Sequence, residues 1–167
     1  SLLLKNRPDP QDSRYPTYER THNLLRVMES VRATDGNVGV FSLYWEFGRR
    51  IHHDQDLMDF PLGDALSAVG LDKSHINAYE EEDWDEEIQT RMGTGLALAG
   101  DDIGTPIIAF DNAAGRKIGI FGPVITRVPN REHSLQLWDG LQMVMSIPGF
   151  WELKRTRTER PEFGERP

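Results

Sequence analysis

The stretch from Asp102 to Phe110, DIGTPIIAF, decides the fold, because a Thr-Pro pair stands directly before an apolar segment typical of a β-strand. Proline cannot donate a hydrogen bond to a sheet, so a proline that opens a strand is there for its shape, its missing N–H or its peptide isomer. The turn-prone DNAAG and a second apolar segment, KIGIF, follow at once. We therefore predict an antiparallel hairpin of the strands TPIIAF and KIGIF, the second of which ends at Gly122-Pro123.

Helical patterns lie on both sides of this hairpin. The segments 17–32 and 38–53 carry apolar residues at three- and four-residue spacings, and DGN at 35–37 separates them, with Asn37 as the expected N-cap. The aromatic content of the second segment, including Tyr44, predicts that it is buried. Further helices are predicted at 61–71, after Asp83 as N-cap, and after Asn130. Leu2 to Leu4 are interpreted as the end of a buried strand.

The composition restricts the class of protein. With 38% hydrophobic and 28% charged residues and no apolar run of membrane-spanning length, we expect a soluble globular protein that is a single structural unit. A net charge of −8 argues against a nucleic-acid partner, because phosphate binding needs a dense basic face. The absence of cysteine excludes disulfides and thiolate metal sites within the sequence. No signal peptide is visible in SLLLKN, and we predict a cytoplasmic location.

Several motifs carry a resemblance to a known family. GTPIIAF, IFGPVITRVP, LWDG and especially FWELKRTRTERPEF resemble the C-terminal half of the actinobacterial DsbA-like proteins described as mycothiol-dependent nitroreductases, and SLLLKN and GRRIHH fit the same pattern. The resemblance implies an α/β, thioredoxin-like fold of the DsbA type. It divides a partial domain of residues 1–167 into a helical insertion (15–100), a cis-Pro hairpin with the C-terminal helix (101–148) and a tail (149–167).

The sequence departs from this family where the nucleophile is expected. The family carries its nucleophile in a Cys-Pro-Trp-Cys motif at the start of its first helix, ahead of the strand expected to end at SLLLKN. The N-terminal strand and this catalytic helix are missing from the sequence. The resemblance implies a thiol-dependent oxidoreductase in which a cysteine pair outside the chain exchanges with mycothiol and reduces a disulfide or a nitro-bearing small molecule. A redox-inactive binding module of the same fold is the alternative. A second alternative is a glutathione-transferase- or isomerase-like relative in which serine replaces the first cysteine. The expected oligomeric state is a possible homodimer.

Two groups of residues are assigned to substrate binding by the resemblance. The backbone of Thr105, held by Pro106, would bind an extended sulfur substrate by strand-like pairing; a plain strand-entry proline is the alternative. Tyr15 would line the substrate pocket, although Tyr18 competes for this place. An ordinary half-buried aromatic with a satisfied hydroxyl is the other interpretation of Tyr15.

Two more residues are assigned to catalysis. Asn6 corresponds to a polar residue that faces the active-site thiol, or is an ordinary turn asparagine. His52 would transfer protons, because the pKa of histidine lies near neutrality, or would interact with the carbonyls at a helix end. The motif HHDQD places His52 and His53 next to Asp54 and Asp56, a combination that suggests a metal site. Adjacent helical residues point about 100° apart, and no second cluster supports such a site, so we predict no metal.

Overall fold

The computed structural model describes residues 1–112 and 114–167 of a mixed α/β protein. Its α-helices are α1 (Leu2–Asn6), α2 (Tyr15–Gly48), α3 (Leu62–Ala68), α4 (Asp85–Ala99) and α5 (Arg131–Met145), and its strands are β1 (Ile107–Asp111) and β2 (Lys117–Phe121). A π-helical turn, Arg49–His53, continues α2, and 3₁₀ turns lie at Lys73–Tyr79 and Glu82–Trp84. The chain forms two compact units: residues 1–92 with 165–167, and residues 93–164. No helix among the described residues is long and apolar enough to cross a membrane.

The core of the first unit is built around α2. Its buried hydrophobic residues are Leu24, Val27, Val31, Val40, Leu43, Phe47, Phe60, Ala65 and Leu66. The predicted break of the helical pattern is confirmed at Gly36, whose φ of 66° and ψ of −161° interrupt α2. Glycine adopts this left-handed φ without the steric cost that a Cβ brings. The carboxamide of Asn37, the expected N-cap, instead accepts a hydrogen bond from the guanidinium of Arg32.

The prediction that aromatic residues bury the second half of α2 is wrong for three rings. Phe41, Tyr44 and Trp45 are 64%, 65% and 48% exposed, respectively. The core position expected for Tyr44 is taken by Leu43, which is fully buried. The second half of α2 therefore has an apolar face in the core and a second apolar face at the surface.

The N-terminal segment is a helix, which corrects the strand expected at Leu2 to Leu4. The Ser1 hydroxyl accepts a hydrogen bond from the Leu4 N–H at 3.2 Å, and Arg7 closes the helix in a left-handed conformation with a φ of 43°. None of the residues of α1 is buried. A strand needs hydrogen bonds from a neighbouring strand, whereas a helical turn bonds within itself, so a short segment without a strand partner is better satisfied as a helix.

The start of α4 differs from the predicted N-cap at Asp83. Asp83 lies in the 3₁₀ turn, and the helix begins at Asp85. The Asp85 carboxylate accepts two hydrogen bonds from Arg26 on α2, at 2.7 and 2.9 Å. A buried arginine needs a partner for its charge, and this long-range ion pair cannot be read from the local pattern around Asp83.

The hairpin of the second unit confirms the prediction from DIGTPIIAF. β1 and β2 pair antiparallel, with Ile107 opposite Phe121 at one end and Asp111 opposite Lys117 at the other. β2 ends directly before Gly122-Pro123, as predicted. β1 begins at Ile107, two residues after the start of the predicted strand TPIIAF, because Pro106 has no N–H to pair, and it ends at Asp111. Asn130 caps α5, as predicted, by accepting a hydrogen bond from the His133 N–H at 2.8 Å.

Candidate active site

Thr105 and Pro106 stand at the entrance of the hairpin in the second unit. The paired register begins one residue later, at Ile107, and the Pro106 carbonyl accepts a hydrogen bond from the Gly122 N–H at 2.9 Å. The Thr105–Pro106 peptide bond is cis, and both residues are exposed. The Thr105 backbone therefore lies outside the strand register and at the surface, where an extended ligand can reach it.

His52 lies in the π-helical turn that continues α2. The Asp54 N–H donates to the Arg49 carbonyl at 3.0 Å, and the Asp56 N–H donates to the Arg50 carbonyl at 3.0 Å. These bonds span five and six residues, so the turn is wider than an α-helical one. Such turns occur frequently at functional sites.

A buried carboxylate supports the start of this turn. The side chain of Glu46 is only 6% exposed, and it accepts hydrogen bonds from Arg49 at 3.0 Å and from Arg50 at 2.7 Å. The Arg50 guanidinium also lies 5.8 Å from the centre of the Phe60 ring. The sequence signal for this support was available, because arginines three and four residues after a glutamate share its helix face.

The end of the turn is held by the C-terminal tail, within the same unit. Arg166 donates to both carboxylate oxygens of Asp54, at 2.8 and 3.1 Å, and this contact lowers the pKa of Asp54. The pKa of His52 is lowered, first by partial burial of its ring and then by the charge of His53, although much of the residue is exposed. The His52 ring is therefore neutral near pH 7 and is able to accept a proton.

Asn6 and Tyr15 occupy the N-terminal part of the first unit. Asn6 is the last residue of α1 and is exposed. Tyr15 is the first residue of α2 and is half-buried, and its competitor Tyr18 lies beneath the Arg14 guanidinium at 5.8 Å. Asn6, Tyr15 and His52 thus belong to the first unit, and the Thr-Pro pair belongs to the second.

A histidine that the sequence did not single out joins α2 to the 3₁₀ turn. His75 is 7% exposed; its Nδ1 lies 2.8 Å from the Ser30 hydroxyl and its Nε2 lies 3.2 Å from the Asp35 carboxylate. Serine, histidine and aspartate are separated here by five and forty residues, so no local pattern announces them. These contacts of His75 with Ser30 and Asp35 connect the end of the first half of α2 to the 3₁₀ turn. Among residues 1–112 and 114–167, no group of three histidine, aspartate or glutamate side chains could hold a metal ion.

In this mixed α/β protein, the first unit presents a histidine on a π-helical turn, and the second unit presents an exposed Thr-Pro pair at the entrance of a hairpin. The model of the Rv2466c-like family, described as mycothiol-dependent nitroreductase Rv2466c, matches residues 1–155, and the chain belongs to this family. The family is named for an oxidoreductase activity. The tail residue Arg166 lies beyond the matched segment.

Proposed function

We propose that this chain is the substrate-binding part of a mycothiol-dependent, DsbA-like oxidoreductase that reduces disulfides or nitro compounds in the cytoplasm. The observation that carries the proposal is the exposed Thr105-Pro106 pair outside the hairpin register, in a member of a family named for mycothiol-dependent nitroreduction. The sequence contains no cysteine. The reacting thiols therefore come from mycothiol and from cysteines outside these 167 residues.

The chemistry needs a thiolate and an acceptor. In disulfide reduction, the thiolate forms a new S–S bond with one sulfur of the substrate and displaces the other sulfur as a thiolate. In reduction of a nitro group, two thiols become one disulfide and supply two electrons and two protons, which convert the nitro group to a nitroso group and water. The residues of this chain bind the acceptor, in part through the backbone, and move protons.

Each predicted site residue has a role in this proposal. The Thr105 backbone pairs with an extended substrate next to Pro106. His52, neutral near pH 7, accepts a proton from the attacking thiol and returns one to the leaving group. Asn6 donates a hydrogen bond towards the sulfur, and Tyr15 contributes a wall of the substrate pocket.

The test begins with the protein from its natural source. The intact mass shows whether the protein is larger than the 19.1 kDa of this chain. A thiol count under denaturing conditions shows whether it carries cysteines. The rate of reduction of a nitroaromatic compound and of a small disulfide is then measured with and without mycothiol. We expect two thiols and a rate that depends on mycothiol. A thiol-bearing protein that accelerates neither reaction contradicts the proposal.

The cysteine count favours one second candidate, a redox-inactive module that uses the same surface for binding. In that case, the protein from its source contains no thiol, and a peptide or small molecule binds next to Thr105 without being turned over. Titration by calorimetry, with and without mycothiol, distinguishes the two candidates.

A further inference from the structure

The sequence contains two Asp-Gly pairs, Asp35-Gly36 at the break in α2 and Asp139-Gly140 within α5. In such a pair, the backbone nitrogen of the glycine can attack the side-chain carboxyl carbon of the aspartate, because glycine has no side chain that shields its nitrogen. Both aspartates are exposed, and neither glycine has a heavy atom within 4 Å of the position that a Cβ would take. The two pairs are therefore similar in access and differ in their backbone.

The backbone of the first pair leaves the helical conformation. Gly36 has a φ of 66° and a ψ of −161°, so Asp35 is the last residue of the first half of α2. Attack on the carboxyl carbon requires rotation about the bonds of the aspartate, which a continuous hydrogen-bonded helix opposes. The second pair has helical residues on both sides, within Arg131–Met145. Asp35 is therefore freer than Asp139 to reach the geometry of attack.

The Asp35 carboxylate also has proton-bearing groups beside it. Its Oδ2 accepts a hydrogen bond from the Thr34 hydroxyl and lies 3.2 Å from the His75 Nε2. A carboxylate oxygen that leaves as water needs a proton, and a neighbouring imidazolium is able to supply one. The contacts of this carboxylate thus favour the departure of one of its oxygens.

We propose that Asp35 is a site of isoaspartate formation, selected over Asp139 by the break in α2. The Gly36 nitrogen forms a bond to the Asp35 Cγ, and a carboxyl oxygen leaves as water, which closes a succinimide ring. Water then opens the ring. Where it breaks the original peptide bond, the main chain runs through the Asp35 side chain, and the former backbone carbonyl becomes the carboxylate. Nothing is oxidised or reduced, and the inference does not depend on the proposed redox function.

The product changes the contacts that connect α2 to the 3₁₀ turn. An isoaspartate lengthens the main chain by one carbon and carries its carboxylate on a different carbon. The ring of His75, which is only 7% exposed, then loses the position of its partner at Nε2. The same residue adjoins the break that orients the second half of α2. We therefore expect the modified protein to unfold at a lower temperature.

The test compares the two aspartates within one protein. The folded protein, and the same protein in guanidinium chloride, are incubated for several weeks in water labelled with heavy oxygen. Trypsin then releases the peptides 33–49 and 132–154, each of which contains a single aspartate. Mass spectrometry measures the heavy oxygen that ring opening introduces, and chromatography separates isoaspartate from aspartate. The matched control is Asp35→Glu, which keeps the charge but would have to close a larger ring.

We expect isoaspartate in the folded protein to form at least about tenfold faster at Asp35 than at Asp139. Asp139 must wait for local opening of α5, and a factor of ten corresponds to about 1.4 kcal/mol of opening free energy. In guanidinium chloride, the two rates should become equal. Equal rates in the folded protein would overturn the proposal. A preference for Asp35 that persists in the denaturant would also overturn it, because the neighbouring sequence and not the break would then be the cause.

The control variant separates Asp35 from its neighbour Asn37, which lies in the same peptide. Asp35→Glu should take up no heavy oxygen in this peptide, and uptake equal to that of the natural sequence would overturn the proposal by assigning the reaction to Asn37. The unfolding temperature of the natural sequence should fall as isoaspartate accumulates, whereas that of Asp35→Glu should stay constant over the same incubation. An equal fall in both would contradict the expected loss of the His75 contact.

Discussion

Replacement of Arg26 by methionine tests how much the buried ion pair between α2 and α4 stabilises the first unit. Arg26 is 8% exposed, and its guanidinium donates two hydrogen bonds to Asp85, at 2.7 and 2.9 Å. Methionine keeps much of the aliphatic stem and removes the charge. The variant leaves the Asp85 carboxylate without its strongest partner.

The expected loss follows from the exposure of the carboxylate. Removal of one partner from a fully buried pair costs about 3–5 kcal/mol, because the other charge is left uncompensated. The Asp85 side chain is 24% exposed, so water solvates part of the orphaned charge and we expect a loss of about 2 kcal/mol. The matched control is Arg91→Met. Arg91 is 49% exposed, and its partner Glu29 keeps a second ion pair, so this loss should stay below about 1 kcal/mol.

The assay is urea unfolding at pH 7 and again near pH 3. The Arg26 contact lowers the pKa of Asp85 below its ordinary value. A lowered carboxyl pKa gives stability that is present above the unfolded-state pKa of about 3.9 and is lost as the pH falls through the folded-state pKa. The difference between the natural sequence and Arg26→Met should therefore shrink at the lower pH. A difference under about 0.5 kcal/mol at pH 7, or an equal loss in Arg91→Met, would refute the reasoning.

Three further predictions follow from single residues. Gly119→Ala should lower the free energy of unfolding by about 1–3 kcal/mol, because the new Cβ would lie 2.7 Å from the Leu98 Cβ. Gly140→Ala, in open space on α5, should raise it by about 1 kcal/mol. Thermal unfolding measures both, and changes of the opposite sign would contradict them. Burial lowers the pKa of His22, so the unfolded state binds the proton of this histidine more tightly than the folded state does. The free energy of unfolding should therefore decrease as the pH is lowered from about 7.5 to about 5.5. His22→Asn should flatten this slope, and an unchanged slope would assign it to another group. Thr105→Arg should lower kcat/KM about tenfold at unchanged Tm if substrate binds there; full activity would exclude that site.

The parts of the fold that the sequence predicted are those decided by neighbouring residues. The hairpin was predictable because Pro106, the DNAAG turn and the two apolar segments on either side of that turn all indicate it. The cap of α5 was predictable because Asn130 bonds a residue three positions away. Likewise, α4 ends at Ala99, directly before Gly100, whose φ of 101° is a conformation that glycine favours.

The parts that could not be predicted depend on distant partners. The choice between strand and helix at Leu2 to Leu4 depends on whether another strand lies beside the segment, and apolar residues alone do not show this. The contact between Arg166 and Asp54 spans 112 residues, so no local spacing indicates that the tail holds the turn that carries His52. The roles of Asn6 and Tyr15 remain predictions, because they depend on the substrate and not on the fold.

The break at Gly36 sets the rotational phase of everything that follows it in α2. At 100° per residue, an uninterrupted helix would turn the core residues of the second half about 160° away from those of the first half. It would also bring Val38 and Trp45, at seven-residue steps after Leu24 and Val31, into the core. One glycine thus decides which of two apolar faces is internal, and a single inserted or deleted residue next to it would rotate the second half by about 100° and turn its core residues away from the core. The apolar face that α2 exposes at the surface is the one that the uninterrupted helix would have buried.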